Sequence, residues 1–125
     1  MVELREVVAF VAVTDLDRAE QFYGRTLGLT LRDERPFALS ALLGGAHLRI
    51  TKVDRLVGAA HTVLGFTVRD IEVTVADLAA GGVTFTRYDG MDQDDHGVWT
   101  SPNGAQVAWF HDPDGNNVSI TQLPA

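Results

Sequence analysis

No cysteine occurs in this chain. Its absence excludes disulfides, thiolate metal sites and cysteine nucleophiles. Cationic side chains are a minority: 10 Lys and Arg stand against 17 Asp and Glu, giving a net charge of −7 and a pI near 4.8. A field of that sign repels phosphate backbones and tolerates cationic ligands, so no nucleic-acid partner is expected. No apolar run reaches the roughly 18 residues of a membrane span, so no membrane partner is expected. The opening Met1-Val2-Glu3-Leu4-Arg5-Glu6 lacks the basic start and small-residue cleavage site of a signal peptide, which makes the expected location cytoplasmic.

What the chain does contain is patterned. Ala105 to Pro124 reads as an apolar strand, a tight turn at Asp112-Pro113-Asp114-Gly115, and a second strand. Proline pre-sets φ in such a turn, Asp side chains bond nearby backbone N–H groups, and glycine tolerates positive φ. Val118 and Ile120 alternate with Ser119 and Thr121, the period of a strand with two different faces. A weaker copy occurs earlier, where Leu42-Leu43 and Ala46 to Thr51 flank Gly44-Gly45. Leu48-Arg49-Ile50-Thr51 aligns with Val118-Ser119-Ile120-Thr121, and a duplicated unit follows as the first hypothesis.

In order, Val7 to Val13 is a continuous apolar run rich in β-branched residues, which predicts a strand buried on both faces. Thr14 or Asp15 caps a helix with Leu16, Ala19, Tyr23 and Leu27 on one face, ended by Gly28. Leu29 to Arg35 is the next strand, ended by Pro36, and the Phe37–Leu43 and Ala46–Val53 hairpin completes a first βαβββ unit at residues 1–55. The pattern restarts at residues 61–125: strand Thr62–Val68, cap Asp70, a helix burying Ile71, Val75 and Leu78, stop Gly81-Gly82, and strand Val83–Tyr88. The caps align at an offset of 55 and the hairpins at 70, so the second unit carries an insert within Asp89 to Gly104. The expected class is α+β, two tandem βαβββ units forming curved mixed sheets within one compact domain.

Leu-Asp-Arg-Ala-Glu-Gln-Phe-Tyr-Gly-Arg-Thr-Leu-Gly-Leu at residues 16–29 and Trp-Phe-His-Asp-Pro-Asp-Gly-Asn at 109–116 resemble the vicinal oxygen chelate superfamily of glyoxalase I, bleomycin resistance proteins and extradiol dioxygenases. The resemblance spans nearly the whole chain. It implies two cup-shaped sheets with a site on the concave side, and in the enzymes a divalent metal held by His, Glu or Gln. Carried over, the ligand positions fall on Val8, Arg49, Val63 and Ser119. Valine has no donor atom, arginine is a permanent cation, and serine is a poor neutral ligand. The four histidines, His47, His61, His96 and His111, share no metal-ligand spacing. No metal ligand, no cofactor and no paired catalytic residues are therefore assigned.

Without a metal, the cup becomes a pocket for a small organic ligand. The candidate ligand-binding residues are Phe10, Arg49, Thr67, Trp99, Trp109 and Ser119. Arg49 either meets a ligand carboxylate or phenolate, or has its head in solvent or paired with a nearby Asp or Glu. The acidic insert either lids the cup, with Trp99 on the ligand, or is a solvated loop anchored by that tryptophan. Trp109 shares one strand face with Val107, and Ala108 shares the other with Phe110; the pattern leaves open which pair lines the cup. The leading expectation is a metal-independent protein that binds an antibiotic or aromatic metabolite, as a homodimer. The alternatives are a metal-free lyase, isomerase or epimerase using a His or Asp, and a metal-dependent lyase or dioxygenase. Elemental analysis of the purified protein separates the last: the expected result is substoichiometric Zn, Ni, Mn and Fe, and one bound ion per chain would overturn it.

Overall fold

The computed structural model describes residues 1–125, which divide into two compact units, Met1–Val57 and Gly58–Ala125. In the first unit, strand β1 (Val8–Val13) leads into helix α1 (Leu16–Ala19), which runs on as a π-helix over Glu20–Thr26. Strands β2 (Arg32–Glu34), β3 (Ala38–Leu43) and β4 (Ala46–Lys52) follow. The sheet order is β1-β4-β3-β2, with β1 parallel to β4 and the other pairs antiparallel. The first and last strands of the unit thus lie side by side, with the helix as the crossover.

Asp15 is the helix cap: its backbone is extended and its Oδ1 accepts from Arg18 N at 3.1 Å. The helix ends in wide turns, with Leu27 N donating to Phe22 O at 2.9 Å and Leu29 N to Tyr23 O at 3.0 Å. The second bond binds Leu29 to the helix end. The strand expected over Leu29–Arg35 is accordingly shortened to Arg32–Glu34. Leu16, Ala19 and Tyr23 are buried with Val11, Val13, Leu39, Leu48 and Ile50, the core of this unit.

β1 departs from expectation more sharply. Val11 and Val13 are buried, but Val8 is 47% and Phe10 62% exposed, so this apolar run is covered on one face only. The physical reason is that the unit has a single helix, and it packs on the Val11–Val13 side.

Arg35, just past β2, gathers three carboxylates at 3.0 Å, those of Asp17, Glu20 and Asp33, and so ties the helix to the strand. The Arg35 backbone N–H and guanidinium hold the Asp33 carboxyl below its ordinary value. The Ser40 hydroxyl and the Arg49 guanidinium do the same for Glu34.

The second unit repeats the plan with β5 (Thr62–Thr67), α2 (Ile71–Ala80), β6 (Trp99–Thr100), β7 (Gln106–His111) and β8 (Asn117–Gln122), in sheet order β5-β8-β7-β6. Asp70 Oδ1 caps α2 through Val73 N at 3.2 Å. Ile71, Val75 and Leu78 are buried, as are Leu64, Ala108, Phe110, Val118 and Ile120 on the facing side of the sheet. The expected turn is present. Asp112 is buried, and its Oδ1 accepts from Asp114 N at 2.9 Å and Asn116 N at 2.8 Å, while Gly115 takes φ +85°.

Val83–Tyr88 does not form the expected strand. Thr86 N donates to Trp109 O of the neighbouring strand at 2.7 Å, but no strand ladder develops. The Gln93 side chain takes the place of a ladder: Oε1 accepts from Tyr88 N at 2.7 Å, and Nε2 donates to Thr86 O at 3.0 Å and Gly97 O at 2.9 Å. The edge strand forms instead at Trp99–Thr100, inside the stretch expected to be irregular.

Both helix caps carry a testable cost. Asp15→Ala and Asp70→Ala are each expected to lower stability by about 1 kcal/mol in urea unfolding, and the asparagine variants by much less. The lowered Asp33 and Glu34 carboxyls also set a direction with pH. Their contribution is present above the ordinary carboxylate range and is lost as pH falls through the folded values. The urea midpoint should fall below about pH 4, and Arg35→Met should flatten part of that fall.

Candidate ligand site

Each sheet has a second face, the one away from its helix. In the first unit it carries Val8, Phe10 and Ala12 of β1, which pair with His47, Arg49 and Thr51 of β4. Phe10 and Arg49 are therefore direct cross-strand neighbours. Arg49 is not free. Its guanidinium donates to Glu34 Oε1 at 3.0 Å, and both side chains are about one-third exposed. The expected pairing with an acid of the chain is therefore present. His47 meets Glu6 at 3.2 Å.

In the second unit, Trp109 pairs with Ser119, which pairs with Gly65. Val107, Thr121 and Thr67 form the adjoining row, and Trp99 pairs with Val107. Because Ala108 and Phe110 are buried against α2, the face that carries Val107 and Trp109 is the one away from the helix. The sequence left this choice open. Six candidate residues thus divide into Phe10 with Arg49 in one unit, and Thr67, Trp99, Trp109 and Ser119 in the other.

The second group forms an aromatic wall. The Trp99 and Trp109 ring centroids lie 6.2 Å apart with planes tilted by 37°. Tyr88 meets Trp109 edge to face at 5.4 Å. Beside the wall, Gly65 and Ser119 form the floor. Gly65 has no side chain, and the space its β-carbon would take is filled by the Ser119 hydroxyl, which lies 2.7 Å from that point. The floor is therefore flat and carries a hydroxyl at its centre.

Polar groups flank the wall. Thr62 Oγ1 donates to Asn117 Oδ1 at 3.2 Å, and Asn117 Nδ2 donates to Ala60 O at 3.3 Å and Tyr88 Oη at 2.7 Å. His111 lies in the same face, with Nδ1 3.1 Å from Thr86 Oγ1. On the far side of Trp99, a groove of about 470 Å³ is lined by Asp92, Asp94, Val98, Trp99, Thr100 and Pro102. Asp94 is partly committed to the loop itself, since its Oδ1 accepts from His96 N and Val98 N at 2.9 Å. Tyr88 and Asn117 were not singled out from the sequence. Tyr88 falls at the end of what reads as an ordinary strand, and Asn117 lies between the turn and the alternating run that starts at Val118.

The donor set does not suit a divalent metal. Of the four positions carried over from the enzymes, Val8 and Val63 have no donor atom, Arg49 is cationic and paired with Glu34, and Ser119 is neutral. A bulge between Thr62 and Leu64 shifts the register of β5, but it brings Thr62, another hydroxyl, beside Asn117. No group of three or more His, Cys, Asp or Glu side chains is placed to hold an ion. No helix is long and apolar enough to cross a membrane.

Solved structures share this architecture. A member of the glyoxalase/bleomycin resistance protein/dioxygenase superfamily from Sphaerobacter thermophilus is 24% identical, with a TM-score of 0.74 over 97% of this chain and 98% of that one. Lactoylglutathione lyase from Agrobacterium tumefaciens is 19% identical, with a TM-score of 0.71 over 93% of this chain and 91% of that one. TioX from Micromonospora is 19% identical, with a TM-score of 0.70 over 94% and 97%. At these identities the likeness is one of fold. No curated protein matches the chain. The glyoxalase/bleomycin resistance protein/dioxygenase profile matches residues 6–120, through both βαβββ units, and the chain belongs to that superfamily.

Proposed function

We propose that this protein is a metal-independent small-molecule binding protein of the bleomycin-resistance type, and that its ligand is an aromatic organic molecule held on the second sheet. The observation that carries this reading is the wall of Tyr88, Trp109 and Trp99 standing beside the flat floor of Gly65 and Ser119. Large rigid aromatic surfaces offer a flat ligand dispersion and stacking at low entropic cost, and Ser119 and Thr67 supply hydroxyls at the floor. The net charge of −7 and the groove at Trp99, with Asp92 at its rim, favour a ligand that also bears a positive group.

A second reading, a metal-free acid–base enzyme, rests on His111. Its Nδ1 is engaged by Thr86, which leaves Nε2 available on the same face as the wall. Turnover of a bound ligand that vanishes in His111→Gln while binding persists would favour the enzyme.

Thermal-shift screening against cationic glycopeptides, aromatic acids and glutathione conjugates tests the binding role. A ligand at about 100 times its Kd adds about 2.7 kcal/mol to stability and raises the Tm by several degrees. We expect at least one aromatic member to do so, and the shift to disappear in Trp109→Leu. A shift undiminished in that variant would place the ligand elsewhere.

A further inference from the structure

The Asn117 amide has one orientation that satisfies its surroundings. Ala60 O can only accept, so the group facing it is the NH₂, and the same NH₂ donates to Tyr88 Oη at 2.7 Å. Asn117 Oδ1 then faces Thr62 Oγ1, which donates to it. Asn117, the middle member, is 3% exposed, so its amide is sheltered from water and its orientation is fixed by these partners, while Thr62 is exposed and Tyr88 half-buried. The consequence falls on the tyrosine. Its oxygen already accepts from Asn117, so its own proton must be given to an acceptor outside the Thr62–Asn117–Tyr88 chain. The Tyr88 ring is held edge to face against Trp109, so the hydroxyl sits at the border of the aromatic wall.

We propose that Tyr88 is the specificity-determining donor of this site, and that the ligand carries a hydrogen-bond acceptor, a carbonyl or carboxylate oxygen, at the edge of its aromatic ring. Thr62 and Asn117 are positioning residues that set the direction of the donor. The inference rests on the binding role proposed for the second sheet. It narrows the ligand from any flat aromatic to an aryl ketone, aldehyde, amide or acid. A ligand that lacked the oxygen would leave the tyrosine proton without a partner once water was displaced, which is costly at a desolvated site.

The test uses a pair of probes with the same shape, acetophenone and α-methylstyrene, which differ in having a carbonyl oxygen or a methylene group. The chain has 2 tryptophans, Trp99 and Trp109, so their two indole N–H signals in a proton–nitrogen NMR spectrum report on this wall directly. Both probes are expected to move both signals in the unmodified protein. Tyr88→Phe should weaken acetophenone by about threefold to tenfold and leave α-methylstyrene undiminished or somewhat tighter, since it removes one hydrogen bond from the first and an unpaired donor from the second. The undiminished second probe serves as the control for folding. Equal weakening of both probes, or no change in either, overturns the donor role while leaving the binding role standing. Failure of acetophenone alone to move the indole signals of the unmodified protein overturns the donor role, and failure of both probes overturns the binding role with it.

Discussion

Each unit owns one helix, and one helix covers one face of a four-stranded sheet. That constraint accounts for most of what the protein presents. The face against the helix is apolar and buried: Val11, Val13, Leu48 and Ile50 in the first unit, Leu64, Ala108, Phe110, Val118 and Ile120 in the second. Strand alternation then sends every other residue to the opposite face, whatever its chemistry. The parallel pairing of first and last strands places β1 residues next to β4 residues and β5 residues next to β8 residues. Phe10 thereby meets Arg49, and Gly65 meets Ser119, although each pair is far apart in the chain.

The two uncovered faces have diverged. The first closes its charges on itself, through Arg49 with Glu34 and His47 with Glu6. The second concentrates aromatic area and hydroxyls around a residue without a side chain. Positions that grip an ion in the metal-dependent relatives implied by the sequence motifs hold Val8, Arg49, Val63 and Ser119 here. Dispersion, stacking and directed hydrogen bonds are the interactions the remaining side chains can offer.

Features governed by local chemistry were readable from the sequence. Asp15 and Asp70 cap helices because a short acceptor precedes an apolar periodic run, and Asp112 to Gly115 turns because its residues suit that backbone. The site positions on regular strands could be placed by register for the same reason. Features that depend on distant partners could not be read. β1 looks buried on both faces because its composition does not reveal that only one helix is at hand. Val83–Tyr88 looks like a strand because nothing local announces that Gln93 will take up its backbone groups. The partner of Arg49 and the face of Trp109 belong to the same class. So does the Thr62–Asn117–Tyr88 chain, which joins residues 55 and 29 positions apart.

Gly65 and Ser119 share one small volume. The serine oxygen occupies the space that any β-carbon at the neighbouring position would require, at 2.7 Å. A side chain at position 65 therefore requires the Ser119 hydroxyl to turn aside, which rotation about its χ1 can supply. A replacement at 65 would thus redirect the hydroxyl at 119, and the polarity of this part of the sheet would change along with its shape.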